Sequence, residues 1–64
     1  MFFEELKQAR AAAGLSQVAL HKLTLIPTRT IEDWEAGRFE PPAYVQRFLL
    51  NELNDIAAKK SEKN

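Results

Sequence analysis

The chain has 64 residues, of which 45% are hydrophobic and 28% are charged, a composition typical of one small folded domain and not of a disordered segment. It contains no cysteine and one histidine, which excludes disulfides and a thiolate zinc site and argues against a histidine-rich metal site. Nine basic residues balance nine acidic ones, whereas nucleic-acid-binding domains usually carry a basic surplus. A nucleic-acid-binding role therefore requires that the basic residues cluster on one face of the domain.

The first predicted helix covers residues 2–13, and Gly14 is placed to end it in a left-handed conformation. Three consecutive alanines favour a helix here. The face that we expect to pack inward carries Phe3, Leu6, Ala9, Arg10 and Ala13. No segment of useful length alternates with the two-residue period of a strand, so an all-α fold is predicted.

The second and third predicted helices are short and are joined by a tight turn. The second covers residues 17–24, with Ser16 as its N-cap, and the third covers residues 28–36. Pro27 fits the start of the third helix, and Gly37 ends it. The side chains expected to face the core are Leu20, Leu23, Ile31 and Trp34. Two short helices joined in this way have the helix-turn-helix geometry.

The fourth predicted helix starts near Pro42 and runs to about residue 58. Its apolar stripe consists of Val45, Phe48, Leu49, Leu53 and Ile56. Residues 59–64 form a polar tail that is expected to fray. The sequence therefore predicts a compact four-helix domain over residues 1–58.

Two stretches of the sequence resemble a known family. LSQVALHKL at residues 15–23 and IPTRTIEDWEAG at residues 26–37, followed by two prolines and an apolar helix, resemble the phage-repressor type of helix-turn-helix, the Cro-like or xenobiotic-response-element family. The resemblance covers residues 6–53. Its specific parts are Arg10, the Leu-Ser-Gln step at 15–17, Leu20, Ile31, Glu35 and Gly37. It implies a lambda-repressor-like fold and sequence-specific binding of double-stranded DNA by a small transcriptional regulator, with repression as the expected outcome.

The resemblance also implies a role for each matching residue. Gln17 matches the glutamine that opens the second helix, touches a phosphate and braces the recognition helix. Thr28, Arg29 and Asp33 match positions that face base edges in the major groove. Arg38 and the loop backbone after it match the region that lies on the sugar-phosphate backbone.

The exposed face of the third helix carries acid as well as base. Helical spacing puts on this face Thr28, Arg29, Glu32 and Asp33. Arg29 can bind a guanine with two hydrogen bonds, a contact that discriminates by ~1–3 kcal/mol. Three roles stay open for Asp33: holding Arg29, accepting from a cytosine amino group, or forming an ordinary solvated pair. Because acids repel phosphates, affinity is expected from flanking basic residues such as Lys22 and Arg38.

The resemblance pairs Arg10 with Glu35 as a partly buried ion pair between the first and third helices. Two residues depart from the family pattern. His21 stands where the family prefers a small alanine, so its imidazole packs, is solvated or faces the DNA backbone. Leu25 stands at the turn, where glycine is usual because the backbone there often has a positive φ. A leucine in that conformation costs on the order of 1 kcal/mol, so the turn is either strained or different in geometry.

Partners follow from the small size of the domain. Helix-turn-helix modules bind DNA as two-fold dimers, so a weak homodimer is expected. The candidate dimer contacts are Phe39, Leu50, Leu53 and Ala57, although the same side chains could instead cover the first helix. No cofactor, metal or small-molecule ligand is expected. No apolar run approaches the ~20 residues of a membrane span and no signal-peptide pattern opens the chain, so a cytoplasmic location is expected.

A second function class competes with DNA binding. The domain could be a protein-binding adaptor, such as an antitoxin-like or inhibitor module, and the neutral charge and the acids at positions 32 and 33 favour this alternative. An enzyme is not expected. The sequence has no nucleophile with a base, no glycine-rich phosphate loop and no paired carboxylates with a pocket to hold them.

Overall fold

The computed structural model describes residues 1–62, and within this range the chain forms four α-helices and no β-strand. The helices are α1 (Phe2–Ala12), α2 (Gln17–Thr24), α3 (Thr28–Glu35) and α4 (Ala43–Glu62). α1 packs along α4 and also contacts α3, while α3 contacts α2. The predicted all-α class with four helices is confirmed. None of the helices in residues 1–62, the 20-residue α4 included, has the length and apolar character needed to cross a membrane.

One cluster of apolar side chains joins the four helices. Its buried members are Phe2, Leu6, Ala13, Leu20, Ile31, Leu49 and Leu53. Trp34 and Val45 are partly buried and pack against this cluster. Since burial of a leucine or isoleucine side chain stabilises a fold by roughly 1.5–3 kcal/mol, this cluster is the main source of stability in so short a chain.

Three side chains that were predicted to face the core are half-buried or exposed instead. In α1 the buried phenylalanine is Phe2, and Phe3 is half-buried, because the inward face follows positions 2, 6, 9 and 13. In α2, Leu20 is buried, but Leu23 lies at the edge of the two-turn helix and is half exposed. In α4, Phe48 precedes the buried Leu49 and therefore points about 100° away from the core.

The first three helices start where predicted, and α2 also ends there, while α1 and α3 each end one residue earlier, at Ala12 and Glu35. The Ser16 hydroxyl accepts a hydrogen bond from the Ala19 amide at 3.0 Å and caps α2. Gly14 and Gly37 have φ values of 74° and 78°, a left-handed conformation that glycine adopts without strain. Each is followed by a hydrogen bond from the next amide back to the helix, which makes both ends Schellman motifs.

The fourth helix ends later than predicted. It continues to Glu62, so residues 59–62 of the expected fraying tail are helical, and residues 63–64 lie outside the described part of the chain. The Lys60 ammonium lies against Gly14, at the C-terminal end of α1. Unpaired carbonyls at a helix C-terminus attract a cation. This contact joins the last turns of α4 to the C-terminal end of α1.

The turn between α2 and α3 contains a strained residue, Leu25. Of the two possibilities predicted for this turn, strain or a different geometry, the structure shows the first. Leu25 has φ 67° and ψ 9°, and its side chain is 79% exposed. Its amide donates to the His21 carbonyl, and the Ile26 amide donates to the Thr24 hydroxyl at 3.2 Å. The Thr24 hydroxyl in turn donates to the Leu20 carbonyl at 2.8 Å. Local hydrogen bonds therefore hold a leucine in a conformation that favours glycine.

Replacing Leu25 with glycine should raise the free energy of unfolding by about 0.5–1 kcal/mol, because the strain disappears and the exposed side chain has little packing to lose. Chemical denaturation of the two proteins measures this difference. Leu23→Gly is the matched control, since Leu23 is also exposed but helical, and it should lower stability by about 1 kcal/mol. A Leu25→Gly protein less stable than the wild type would show that Leu25 is not strained.

Candidate nucleic-acid interface

A partly buried ion pair joins α3 to α1. Arg10 Nε lies 2.6 Å from Glu35 Oε2, and Arg10 Nη2 donates to Glu35 Oε1 at 3.0 Å. Gln17 Nε2 donates to the same Oε1 at 3.0 Å, and Arg10 Nη1 donates to the Leu15 carbonyl. Glu35 is only 6% exposed. The side chains expected to pair are thus in direct contact, and Gln17 braces α3 through Glu35.

The surroundings of this pair keep both partners charged. Burial on its own raises the pKa of Glu35, but hydrogen bonds from Arg10 and Gln17 and the charge of Arg10 outweigh it, so that the pKa lies below its ordinary value. The hydrogen bond to Glu35 raises the pKa of Arg10 against the opposing effect of burial. Because each charge needs the other once water is excluded, the pair specifies how α3 lies on α1.

The opposite side of α3 faces solvent. Ile31 and Glu35 are one turn apart on the inner side and are buried. Arg29, in the first turn of α3, is exposed, and Thr28 beside it is half-buried. Within residues 1–62 Arg29 forms no ion pair, so its guanidinium is available to a ligand. The inner contacts therefore leave the first turn of α3 as an open surface.

Asp33 pairs with Arg38 and not with Arg29, the partner that the sequence suggested. Arg38 Nε donates to Asp33 Oδ1 at 2.9 Å, and the Arg38 amide donates to the Asp33 carbonyl at 3.0 Å. The left-handed Gly37 turns the chain back over the last turn of α3 and so brings Arg38 to Asp33. Pairing of Asp33 with Arg29 is not observed. Two residues that were expected to contact DNA separately form one unit.

His21 is placed differently from the expected DNA contact. Its Nδ1 lies 2.7 Å from the Ile26 carbonyl oxygen, and since a carbonyl only accepts, Nδ1 carries the hydrogen and donates it. The imidazole is half-buried and closes the turn between α2 and α3. This placement gives His21 a structural role. Lys22, the next residue, is exposed on α2.

The candidate dimer contacts do not form one surface. Leu53 is fully buried inside the chain, which excludes it from a dimer contact. Leu50 is partly buried and packs against the core cluster, and Ala57 is half-buried. Their apolar area is thus taken up mainly by the packing of α1 on α4. Phe39 is 65% exposed in the loop before α4, and Tyr44, which was not among the predicted contacts, is also exposed.

Within residues 1–62 no group of three or more histidine, cysteine, aspartate or glutamate side chains is placed to hold a metal ion.

Known proteins add no further constraint on the exposed surface of α3. Comparison of the chain with protein-family models, with curated proteins and with solved structures yields no match in any of the three.

Proposed function

We propose that the chain is a sequence-specific double-stranded DNA-binding domain that acts as a small transcriptional repressor, in which α2 and α3 form a lambda-repressor-like helix-turn-helix. The observation that supports this proposal most directly is the two-sided construction of α3. Ile31 and Glu35 fix the helix from inside, and Arg29 is exposed at its first turn. An arginine presented by a rigid helix suits the recognition of guanine.

The length of α3 suits the major groove. An α-helix with its side chains is about 10–12 Å across, which fits the major groove of B-form DNA, and the eight residues of α3 extend for about 12 Å along it. In helix-turn-helix complexes the N-terminal residues of the second helix contact base edges. Thr28 and Arg29 are the first two residues of α3 and would be the ones to reach the bases.

The Asp33–Arg38 pair removes part of the objection that acids on a recognition helix repel phosphates. Arg38 is well exposed and its guanidinium pairs with the Asp33 carboxylate, so this pair carries no net charge, while Glu32 on the same helix stays exposed and acidic. A neighbouring cation therefore neutralises one of the two acids on the exposed face of α3. Lys22 and Arg29 remain as exposed cations on α2 and α3.

The salt dependence of duplex binding tests the proposal. Each phosphate contact made by a cation adds about −0.9 to the slope of log K against log salt for B-form DNA. Two or three contacts from each chain would give a slope of about −2 to −3. Fluorescence anisotropy with a labelled duplex over a series of salt concentrations measures this slope. A slope near zero, with the protein folded, would contradict a DNA-binding role.

Replacing Arg38 with alanine should weaken binding to all duplexes alike and reduce the size of the salt slope by about one. The reason is that Arg38 follows α3 and matches a position on the sugar-phosphate backbone, which carries no sequence information. Lys59→Ala is the matched control, because Lys59 is an exposed cation near the far end of α4. A change of base preference at a single position in Arg38→Ala would assign this residue to the bases instead.

A protein-binding adaptor, antitoxin-like or inhibitory, is the second candidate function. The observation that favours it is the exposure of large apolar side chains at Leu23, Leu25 and Phe39. Such a partner would be bound with a shallow salt dependence, and Phe39→Ala would weaken the complex more than Arg29→Ala. The salt titration therefore separates the two candidates.

A further inference from the structure

The contact between Arg38 and Asp33 uses only one edge of the Arg38 guanidinium. Arg38 Nε donates to Asp33 Oδ1 at 2.9 Å, and within residues 1–62 neither Nη1 nor Nη2 of Arg38 donates a hydrogen bond. A guanidinium carries five N–H donors in one plane, so the four on Nη1 and Nη2 are left for a ligand. The Arg38 side chain is 61% exposed. Two amino groups suited to a phosphate are therefore accessible beside α3.

Asp33 holds Arg38 by its backbone as well as by its side chain. The Arg38 amide donates to the Asp33 carbonyl at 3.0 Å, because the left-handed Gly37 turns the chain back over α3. Asp33 itself belongs to α3, which Ile31 and Glu35 fix from inside. The Arg38 guanidinium is thus tied at two points to a helix that cannot rotate freely.

The same geometry opposes a base contact by Asp33. Its side chain is only 19% exposed, and Oδ1 already accepts from Arg38. A carboxylate that reads a cytosine must be free to accept from the amino group of the base. Asp33 is therefore better placed to orient a neighbouring side chain than to reach into the groove.

We propose that Asp33 is a positioning residue, which holds the Arg38 guanidinium so that its terminal amino groups bind a phosphate of the duplex. This inference rests on the proposed function, and it replaces the base contact that the resemblance implies for Asp33. Ordering a free arginine on binding costs roughly two- to tenfold in affinity. An arginine that is already ordered avoids most of this loss.

The charge of Asp33 acts in the opposite direction, because a carboxylate repels phosphates. Asp33→Asn separates the two effects, since asparagine removes the charge but keeps a side-chain oxygen that can accept from Arg38 Nε. Asp33→Ala removes both the charge and the acceptor. The comparison of these two variants therefore measures the positioning effect alone.

Fluorescence anisotropy of the full chain with a labelled duplex of mixed sequence, at about 0.15 M salt, tests the proposal. Mixed sequence suffices because a phosphate contact is made alike on all duplexes. Asp33→Asn should bind at least about threefold more tightly than Asp33→Ala. In the Arg38→Ala background the same two changes should bind equally, since there is no guanidinium left to position.

Glu32 supplies the matched control, because it is an exposed acid on the same helix and forms no ion pair within residues 1–62. Glu32→Gln and Glu32→Ala should bind with the same affinity. Circular dichroism verifies that every variant is folded. Titration of duplexes changed at single positions should show the wild-type base preference for Asp33→Asn.

Equal affinities of Asp33→Asn and Asp33→Ala in the presence of Arg38 would overturn the inference. So would a difference between them that persists in the Arg38→Ala background, or a base preference that changes at one position in Asp33→Asn. In each of these cases the wild type still binds DNA, and the proposed function stands. A folded wild type that binds no duplex would overturn the proposed function, and this inference with it.

Discussion

Replacing Arg10 with alanine should remove most of the stability of the fold, lowering the free energy of unfolding by about 3–5 kcal/mol. The change leaves the Glu35 carboxylate buried, with only the Gln17 amide as a partner. An uncompensated buried charge is expensive, and a domain of this length has only a few kcal/mol of stability in total. Most of the variant should therefore be unfolded at 25 °C.

Thermal and chemical denaturation, followed by circular dichroism, measures the effect. Arg29→Ala is the matched control, because Arg29 is exposed on α3 and forms no ion pair within residues 1–62, so its stability should stay within about 0.5 kcal/mol of the wild type. A wild-type unfolding curve for Arg10→Ala would refute the structural role of the pair.

The response to acid gives a second measurement of the same pair. Folding lowers the pKa of Glu35, so the stabilisation is complete above the ordinary value of 4.5 and is lost as the pH falls through the lower value in the folded state. The free energy of unfolding of the wild type should therefore decline below about pH 4.5. Glu35→Gln, which has no carboxylate to protonate, should lack this part of the decline.

Replacing Arg29 with alanine should weaken binding to the preferred duplex by about 1–3 kcal/mol and relax the preference at one base pair. In the proposed complex Arg29 forms two hydrogen bonds to a guanine, and alanine at this position can form neither. Titration of the preferred duplex and of duplexes changed at single positions measures both effects.

Lys22→Ala is the control for this experiment. Lys22 is exposed on α2 and carries the same charge, but as a phosphate contact it should weaken all duplexes alike. If Arg29→Ala also weakened binding to all duplexes alike, Arg29 would contact the sugar-phosphate backbone, and base recognition by Arg29 on α3 would be contradicted.

Most of the helix boundaries could be predicted because they depend on local chemistry. Gly14 and Gly37 take the left-handed conformation that ends α1 and α3, and the Ser16 hydroxyl caps α2. The contact between Arg10 and Glu35 was reached through the family resemblance, since charges 25 residues apart leave no local signal. The late end of α4 was not predicted, because residues 59–62 are all polar and do not extend the apolar stripe of the helix.

The side chains that face each other across turns could not be predicted from periodicity. Arg38 reaches Asp33 only because the chain reverses after Gly37, and spacing alone pointed to Arg29 as the partner one turn away. The His21 contact with the Ile26 carbonyl likewise depends on the left-handed residue between them. Which phenylalanines are buried depends on how far each helix is rotated about its axis, and a rotation by one residue exchanges Phe2 with Phe3.

In the proposed function, α3 is held from inside by Ile31 and Glu35 and presents Thr28 and Arg29 to the bases of a duplex. Selection of bound duplexes from a random pool with the folded wild-type protein tests this arrangement. We expect a common sequence to be enriched, with a guanine at one position whose preference disappears when Arg29→Ala is used in the same selection. If the folded protein enriches no sequence from the pool, this arrangement is contradicted and the adaptor function becomes the better account.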